Sequence, residues 1–237
     1  MQKVLIIGAS SGIGKRLAEL YTDRDALIGI AARRKELLET VQAAHPGKIE
    51  ISAFDIRIPD PIAPLQELVD RIGGMDLLII TAGIGEPSRD LNWPIDKMTI
   101  DTNVMGFTRI ANWAFNYFVQ QGSGQLVNIS SVAANRGGHH APAYNASKAF
   151  QSSYFEGLSI KARKIGVPVV VTSIEPGFVN SKMAKSEKLF WVVPIEKAAR
   201  QILKAIDQKK RKVYISRRWW LIARLMRWIP HWLYAKI

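Results

Sequence analysis

The 237-residue sequence contains no cysteine. That absence excludes disulfides, thiolate nucleophiles and cysteine-ligated metals, and it leaves the redox compartment open. Long apolar runs are missing too, because none approaches the roughly 18 residues of a membrane-spanning helix. Only four apolar residues separate Met1-Gln2-Lys3 from Gly8, so we expect no signal peptide. These absences predict a cytoplasmic chain that is soluble, or at most peripheral at the inner face of a membrane.

Acidic residues are scarce at one end of the chain. The whole sequence has 33 Lys and Arg against 20 Asp and Glu, a net charge of +13. Residues 200–237 hold eleven basic residues and one acid, Asp207, so this end carries +10 and the remainder +3. The basic character therefore belongs to the C-terminal end. A pI near 10 raises nucleic-acid binding as a function, but no nucleic-acid-reading motif accompanies the Trp-rich end, and we do not favour it.

Short β-branched runs alternate with longer helical patterns. Strands are predicted at 3–7, 26–31, 49–53, 76–80, 126–130, 167–174 and 212–215. Helical segments are predicted up to about 23 and at 33–43, 61–71, 94–120, 143–164 and 194–208. This alternation predicts an α/β fold, a Rossmann-like, doubly wound, parallel seven-stranded sheet with helices on both faces. We expect a single domain over 1–216 and an amphipathic helical appendix at 217–237.

A glycine-rich turn, Gly8-Ala-Ser-Ser-Gly12-Ile-Gly14, follows the first predicted strand and opens a helix. Glycines at this junction permit a tight turn and let backbone N–H groups approach a pyrophosphate at the helix N-terminus. The same glycines could form only a flexible loop. The strand before them and the helix after them favour a dinucleotide phosphate site.

Tyr144 and Lys148 lie four residues apart in a predicted helix, which places the phenol and the ammonium on one face. A free phenol titrates near pH 10, and a neighbouring cation lowers that pKa. Ser131 precedes Tyr144 by thirteen residues, at the end of a predicted strand. Alone, the Tyr–Lys spacing also fits a surface Tyr above a solvated Lys. The neighbouring motifs favour a proton-transfer site.

Together the motifs resemble the short-chain dehydrogenase/reductase family over about residues 1–215. The resemblance rests on the glycine pattern, a variant N-A-G element, an active-site quartet and a P-G-x-V-x-T element. These are Gly8, Gly12 and Gly14; Thr81-Ala82-Gly83; Asn103, Ser131, Tyr144 and Lys148; and Pro176-Gly177-Phe178-Val179-Asn180-Ser181. Two positions depart from the family pattern, since Ile7 replaces a Thr and Thr81 replaces an Asn.

The resemblance implies an NADP(H)-dependent oxidoreductase that interconverts a carbonyl and an alcohol on an apolar small molecule. Tyr144 would donate or accept the proton. Lys148 would lower the pKa of Tyr144 and hold the nicotinamide ribose, and Ser131 would hydrogen-bond the substrate oxygen. Asn103 would hold a water that links Lys148 to solvent. Alternatively, Asn103 is a helix-kink residue that satisfies backbone groups.

The resemblance also implies a set of cofactor-binding residues. They are Gly8, Ser10, Ser11, Gly12, Ile13, Gly14, Arg33, Asp55, Ile56, Ala82, Gly83, Tyr144, Lys148, Pro176, Gly177, Val179 and Ser181. Asp55 would contact the adenine, or it is an ordinary helix-capping residue. After the second strand no acid precedes Glu36, whereas NAD-binding folds place one there for the ribose 2′-hydroxyl. Arg33 could pair with a 2′-phosphate, which predicts NADP(H) over NAD(H); the alternative is a solvated helix start.

His139 and His140 lie in a predicted loop before Tyr144. They lack metal-ligand spacing and an acidic partner nearby, so we predict no metal site. We expect them to be exposed or to line the pocket mouth. A further group of apolar residues falls where the family closes a lid over substrate, which indicates an apolar pocket or simply packing. These residues are Phe178, Met183, Phe190 and Trp191.

Two predicted helices are unusually rich in aromatic residues. The residues are Phe107, Trp113, Phe115, Tyr117, Phe118, Phe150, Tyr154 and Phe155. The family resemblance implies that these helices pair in a homodimer or tetramer. Core packing within one chain is the alternative, and it must account for some of them.

The appendix at 217–237 combines basic, apolar and Trp residues. On a helix, Arg217, Arg224 and Arg227 share one arc, with Trp219, Trp220, Trp228 and Trp232 near them and Ile222, Leu225, Met226 and Ile229 opposite. This pattern predicts a helix lying on an anionic membrane surface. The alternative is packing over the substrate pocket or a partner subunit. An alternative function, a non-catalytic NADP-binding scaffold or sensor at the membrane surface, would not require the intact quartet.

Overall fold

A computed structural model describes residues 1–180 and 190–236. Seven strands form one sheet. They are β1 (Gln2–Ile7), β2 (Ala26–Ala32), β3 (Ile49–Ala53), β4 (Leu77–Ile80), β5 (Gly124–Ile129), β6 (Val169–Pro176) and β7 (Lys212–Ile215). Their spatial order is β3-β2-β1-β4-β5-β6-β7, and every neighbouring pair is parallel. The predicted doubly wound parallel sheet is confirmed, with strand ends that differ by at most two residues.

Helices cover both faces of the sheet. They are α1 (Gly12–Thr22), α2 (Lys35–Ala43), α3 (Ile62–Arg71), α4 (Trp93–Ile100), α5 (Phe107–Gln121), α6 (Pro142–Ile165), α7 (Ile195–Asp207), α8 (Arg218–Trp228) and α9 (His231–Tyr234). Apolar side chains of α1, α2 and α7 form one core layer, and those of α3, α5 and α6 form the other. Alternate residues of β1 enter the two layers, as the pleat of a strand buried on both faces requires.

The order of strands sets the place of the site. The chain runs outward from β1 through β2 to β3, then returns past β1 to β4 and continues to β7. The carboxyl ends of β1 and β4 therefore flank the point where the winding direction reverses. Ligands of open parallel sheets bind in the crevice outside the strands at such a point.

The long helix predicted at 94–120 is interrupted. A π-helical turn, Asp101–Gly106, separates α4 from α5 and carries the buried Asn103. Gly106 lies where a Cβ would collide with the carbonyl of Ile56. A π-helical turn marks many functional sites, and the sequence periodicity did not reveal it, because polar Asn103 was the only local sign.

The aromatic residues of α5 and α6 divide between core and surface. Phe107, Phe115, Phe118 and Phe155 are buried within the chain's own core. Trp113, Tyr117 and Tyr154 are partly buried, and Phe150 is exposed. Phe150 stacks on Tyr154 with ring centroids 5.7 Å apart. Core packing therefore explains half of the predicted aromatic cluster.

The C-terminal segment packs on the domain through most of its predicted apolar side, where Ile222, Met226 and Ile229 are partly buried, and also through Trp219. Trp219 and Ala223 are the buried residues of α8, whereas Leu225 is exposed. Trp219 therefore does not lie with the arginines, and Leu225 is not on the packed face. The cause is tertiary, because the indole of Trp219 fits against the backbone of Gly177 and so sets the rotation of the helix. No helix among residues 1–180 and 190–236 has the length and apolarity needed to cross a bilayer.

Candidate active site

The carboxyl edge of the sheet collects most of the predicted site residues. The glycine-rich turn follows β1, Thr81-Ala82-Gly83 follow β4, Ser131 lies just beyond the end of β5, and Gly177 follows β6. Helix α6 brings Tyr144 and Lys148 to the same edge. Pro142 begins this 24-residue helix and Gly166, with φ +71°, ends it. The site is thus assembled from four strand ends and one helix.

The glycine-rich turn is packed closely against the end of β4. A Cβ on Gly8 or Gly14 would lie under 3.0 Å from the hydroxyl oxygen of Thr81. That hydroxyl donates to the carbonyl of Ile7 at 2.8 Å. The two departures from the family pattern therefore meet each other, and Thr81 joins β4 to β1 through the backbone of Ile7.

The N-terminus of α1 offers donors for an anion. Ser11 is the N-cap residue, and its side chain makes no capping hydrogen bond. Gly12 has φ +60° and a Cβ there would meet open space. First-turn N–H groups and the helix dipole favour a phosphate at this position. This turn fits the diphosphate of a dinucleotide.

A basic residue other than the predicted Arg33 lies beside the glycine-rich turn. Arg34 donates from Nη2 to the hydroxyls of Ser10 and Ser11, at 2.9 and 3.0 Å. Arg33 instead lies 3.8 Å from the carboxylate of Asp55. The sequence interpretation singled out Arg33 and missed Arg34, although both directly follow the second strand. The adjacent pair was the available signal.

Asp55 is held by arginines. It accepts from the backbone N–H and the guanidinium of Arg57, with an Nη2–Oδ2 distance of 2.6 Å. Burial opposes ionisation, but the hydrogen bonds from Arg57 and the nearby charge of Arg33 hold the pKa of Asp55 below its ordinary value. The helix-capping alternative is wrong, because Asp60 accepts the N–H groups of Ile62 and Ala63 at the start of α3.

The hydroxyl of Ser131 lies near the phenol of Tyr144 and acts to lower its pKa. The Ser131 hydroxyl also accepts from the N–H of Ala133 at 3.1 Å and so caps a 3-10 turn, Val132–Asn135. The ring of Tyr144 packs on Gly85, where a Cβ would lie 2.9 Å from Cε2. Backbone on both sides therefore fixes the two hydroxyl groups at the sheet edge.

Lys148 is buried one helical turn from Tyr144. Its ammonium lies 5.9 Å from the centroid of the Tyr144 ring. The ammonium donates to the carbonyl of Ile129 at 3.2 Å and to Oε1 of Gln151 at 3.0 Å. Burial lowers the pKa of Lys148 to about 8. The three side chains of Ser131, Tyr144 and Lys148 thus share one small volume.

The pKa of Tyr144 is raised. Burial is the larger effect, and the hydroxyl of Ser131 opposes it. The expected lowering by Lys148 is not found in the chain by itself, where the ammonium is directed at Ile129 and Gln151. The phenol is therefore protonated at neutral pH, as a proton donor must be.

The side chain of Asn103 is engaged by protein groups. Its Oδ1 accepts from the N–H of Ile84 at 2.9 Å, and its Nδ2 donates to the carbonyl of Ile84 at 2.8 Å and to Ser147 Oγ at 3.0 Å. Its own carbonyl accepts from Nε2 of Gln151 at 2.9 Å. Asn103 thus fastens the π-helical turn to the loop after β4.

Helix α8 forms a wall beside the end of β6. Trp219 makes edge-to-face contact with Phe178 at 5.3 Å between ring centroids, and its centroid lies 5.1 Å from that of Phe190 and 6.2 Å from that of Trp191. Nε1 of Trp219 is buried without a protein partner. The aromatic residues expected near a lid therefore meet a Trp of the appendix. Sequence reasoning placed Trp219 elsewhere.

Arg136 ties the appendix to the loop between Ser131 and Tyr144. Its guanidinium donates to the carbonyls of Met226 and Ile229 at the end of α8, at 2.7 and 2.8 Å. It also lies over the ring of Tyr234, 4.6 Å from the centroid. A cation at a helix C-terminus complements the helix dipole. The appendix is thus attached at the active-site loop.

The remaining predicted residues are dispersed. Ile56 is buried, and Val179 is buried in an isolated bridge with Val193. His139 and His140 are exposed, with ring centroids 3.8 Å apart. Ser181 and Met183 lie outside the described residues. Over the described ranges, no group of three or more His, Asp or Glu side chains is arranged to hold a metal.

A parallel sheet with a glycine turn, a phenol, an ammonium and a hydroxyl at its carboxyl edge defines the class of Rossmann-fold oxidoreductases. Comparison with known families gives the assignment. Residues 2–189 match the family described as short chain dehydrogenase. The chain belongs to the short-chain dehydrogenase/reductase family, and it is a dehydrogenase/reductase enzyme.

Relatives support this assignment. An uncharacterized oxidoreductase of Mycobacterium tuberculosis is 35% identical over 240 residues, which cover 95% of this chain and 92% of that protein. An uncharacterized oxidoreductase of Myxococcus xanthus is 34% identical over 185 residues, covering 76% and 72%. The 11-beta-hydroxysteroid dehydrogenase 1A of Arabidopsis thaliana is 33% identical over 195 residues, covering 78% of this chain and 54% of that protein.

Solved structures share the fold. A short-chain dehydrogenase from Sphingobium yanoikuyae in complex with NADPH has a TM-score of 0.82 and 25% identity, covering 98% of this chain and 97% of that one. An actinorhodin polyketide ketoreductase with NADPH has a TM-score of 0.79 and 21% identity, covering 90% and 94%. The fold of this family binds NAD or NADP.

Proposed function

We propose that this protein is an NADP(H)-dependent oxidoreductase that interconverts a carbonyl and an alcohol on an apolar small molecule. The observation that carries the proposal is that Ser131 and the buried ammonium of Lys148 both lie beside the phenol of Tyr144, the ammonium 5.9 Å from the ring centroid. A structural role does not require a phenol, a hydroxyl and an ammonium at one sheet edge. Their combination suits general acid–base catalysis at a carbonyl oxygen.

Each side chain has a distinct role in carbonyl reduction. A bound nicotinamide cofactor supplies the hydride that reaches the carbonyl carbon. Tyr144 donates its phenolic proton to the carbonyl oxygen and becomes a phenolate. Ser131 donates a hydrogen bond to the same oxygen, and in the enzyme with cofactor bound the charge of Lys148 stabilises the phenolate. In alcohol oxidation the same groups act in reverse, with the phenolate as base.

A preference for NADP(H) over NAD(H) is part of the proposal. No acidic residue stands between the end of β2 and Glu36 to accept from a ribose 2′-hydroxyl. Two guanidinium groups, of Arg33 and Arg34, lie there instead, and Arg34 is beside the glycine-rich turn. Guanidinium groups pair bidentately with phosphate oxygens. These charges support recognition of a 2′-phosphate.

An apolar substrate is supported by the wall of aromatic residues. Phe178, Phe190, Trp191 and Trp219 contact one another beside Gly177. Such rings bury apolar ligand surface and offer few polar groups. One relative, from Arabidopsis thaliana, is named a hydroxysteroid dehydrogenase, so steroids belong in a substrate panel.

The test measures NADPH consumption against aldehydes, steroids, acyl ketones and quinones, with Tyr144→Phe as the variant. Turnover should be abolished in the variant while NADPH still binds, because the phenol supplies only the proton. The partly buried Tyr214 offers the matched control, and Tyr214→Phe should retain turnover. A Tyr144→Phe variant with more than a few per cent of wild-type kcat would refute the assignment. Cofactor binding without turnover of any carbonyl would favour a non-catalytic scaffold or sensor.

We propose a homo-oligomer, a dimer or tetramer, that forms through the outer surfaces of α5 and α6. Phe150 is exposed, as are Ile160 and Ile165 farther along α6. Trp113 and Tyr154 are partly buried beside the core. These side chains offer apolar surface for a second copy. A monomeric mass at micromolar concentration, measured by sedimentation equilibrium, would contradict this part of the proposal.

We propose that the outer surface of α8 and α9 attaches the enzyme to an anionic membrane surface at the cytoplasmic face. Large apolar side chains are exposed along it: Trp220, Leu221, Leu225, Trp228, Trp232 and Leu233. Exposed arginines flank them, namely Arg217, Arg218, Arg224 and Arg227. Trp suits the boundary between headgroups and acyl chains. Each basic residue near an anionic surface contributes about 1 kcal/mol.

Helix α8 can contact a membrane surface and the aromatic wall of the site at the same time. The inner face of α8 holds Trp219 against Gly177, while the outer face holds Trp220 and Trp228 in solvent, with 50% and 80% of their surfaces exposed. Arg224 lies over the ring of Trp220, 5.4 Å from its centroid. The two faces therefore serve different contacts, and an apolar substrate could reach the site from the lipid phase.

A further inference from the structure

Gln151 is a buried polar residue that the roles above leave unused. It lies on α6 three residues after Lys148 and has no exposed surface. Its amide has a partner at each end. Oε1 accepts from the ammonium of Lys148 at 3.0 Å, and Nε2 donates to the carbonyl of Asn103 at 2.9 Å. One side chain thus bridges the ammonium to the π-helical turn.

The other neighbours of the ammonium are uncharged or distant. The carbonyl of Ile129 accepts at 3.2 Å from the end of β5. From the loop after β4, Gly83 approaches so closely that a Cβ there would lie 3.4 Å from Nζ. Tyr144, on the same helix, is the titratable side chain that faces it. In the described part of the chain, no carboxylate forms an ion pair with Lys148.

We propose that Gln151 is a positioning residue, which keeps the ammonium of Lys148 protonated and directed between Tyr144 and the π-helical turn. The inference rests on the proposed function for its catalytic meaning. Two neutral oxygen atoms, Oε1 of Gln151 and the carbonyl oxygen of Ile129, accept hydrogen bonds from the ammonium in place of a carboxylate. Hydrogen bonds to a charged group are stronger in a poorly solvated site, so the loss of one of them should favour the neutral amine.

The amide of Gln151 connects the ammonium of Lys148 directly to the backbone of Asn103. The Asn103 side chain is occupied by Ile84 and Ser147. The charge of Lys148 is therefore maintained by a protein side chain, whose removal should alter its titration.

The test compares three variants of the full chain. Gln151→Met removes both hydrogen bonds and keeps the volume. Gln151→Glu keeps the shape and places a carboxyl beside the ammonium. Gln125→Met is the matched control, because Gln125 is also buried and donates to a carbonyl, that of Ile206, away from the site. The three substitutions separate an effect on Lys148 from a general loss of stability.

The first readout is the titration of Lys148, followed by NMR of lysine labelled at Cε. The signal is assigned by its absence in Lys148→Met. We expect the midpoint to fall by about one pH unit in Gln151→Met, to rise in Gln151→Glu, and to stay unchanged in Gln125→Met. An unchanged midpoint in both Gln151 variants would overturn the inference. This readout needs no substrate, so it is independent of the proposed function.

The second readout is the pH profile of kcat/KM for alcohol oxidation at saturating NADP, where Tyr144 acts as the base. With a less charged Lys148 the phenolate is less stable, so the ascending limb should move to higher pH by up to about one unit in Gln151→Met. The Gln125→Met profile should match the wild type. A shifted lysine midpoint in an enzyme that turns over no carbonyl would uphold the positioning role and refute the proposed function.

Discussion

Replacing Gly177 by Ala tests how the C-terminal helix is seated on the domain. A Cβ at this position would lie under 3.0 Å from three atoms of the Trp219 indole. Backbone strain adds nothing, because φ of Gly177 is outside the left-handed region. The whole effect should therefore come from the collision with Trp219. The indole, 3% exposed, sits against Phe178 and Phe190 and has little room to move.

The magnitude follows from overpacking. One methyl group forced into a filled site costs about 1–3 kcal/mol of unfolding free energy. The same change lowers the entropy of the unfolded chain, which returns about 0.4–1 kcal/mol. We expect a net destabilisation of about 1–2 kcal/mol for Gly177→Ala. In a Trp219→Ala background the collision is gone, and Gly177→Ala should be neutral or slightly stabilising.

The assay is urea unfolding followed by far-UV circular dichroism for the four corners of a double-mutant cycle. Trp219→Ala alone should cost about 3–5 kcal/mol, as for other buried aromatic side chains. The coupling between the two substitutions should be about 2 kcal/mol in the stabilising direction. Gly157→Ala is the matched control, since Gly157 lies within α6 and a Cβ there meets nothing within 4 Å.

Two results would refute this account of the C-terminal helix. One is a Gly177→Ala variant as stable as Gly157→Ala, which should gain about 0.5–1 kcal/mol from helix propensity. The other is additivity of Gly177→Ala and Trp219→Ala. Either result would mean that the indole does not rest against this backbone, and that α8 is not seated at the end of β6.

Three further predictions concern the cofactor, the pH dependence of stability and the membrane. Arg33→Ala should raise the Kd of NADPH about tenfold and leave that of NADH unchanged, after allowing for solvent screening of an exposed side chain. The control Lys35→Ala, on the same surface, should change neither Kd. Equal losses of affinity for both cofactors in Arg33→Ala would contradict a 2′-phosphate contact. Lys148 has a pKa of about 8 in the folded chain, below its ordinary value of 10.5. Between pH 8 and 10.5 the unfolded chain therefore binds more protons than the folded chain. The stability contributed by this group should rise with pH across that range. Measured against Lys148→Met, the wild type should therefore gain stability from pH 8 to 10.5, and parallel pH curves would refute the depressed pKa. Trp228→Ser should reduce co-sedimentation with anionic vesicles severalfold at low salt, whereas Trp93→Ser, at another exposed Trp on α4, should not. Equal binding of both variants would exclude α8 as the attachment surface.

The fold was predictable from local signals. Four- to seven-residue apolar runs, each followed by a helical pattern, indicated a parallel doubly wound sheet, since each crossover must bury both faces of the strands. The glycine-rich turn and the Tyr144–Lys148 pair were readable because their chemistry depends on spacing within one turn or one helix. Tertiary structure adds that Thr81 and Ile7, the two departures from the family pattern, bond to each other.

Contacts between distant parts of the chain decided the rest. Gln151 meets Asn103 across 48 residues and Trp219 meets Gly177 across 42, and neither pairing leaves a periodic trace in the sequence. The only sign in the sequence of the contact between Gln151 and Asn103 was a polar residue on the buried face of α6. The second pairing placed Trp219, predicted to lie near the arginines, on the packed side of the C-terminal helix.

The helix pattern of the appendix was itself readable, but the place of Trp219 on its packed side was not. An amphipathic helix with apolar residues on more than one side can present either side to the domain, and local sequence does not distinguish them. Packing decided the matter, because Trp219 fills the space beside Gly177 and Arg136 binds the carbonyls at the end of α8. Sequence thus determined which elements form and which chemical groups reach the sheet edge. Only the tertiary structure determined which side chains hold those groups in place, since that depends on shape complementarity between surfaces far apart in the chain.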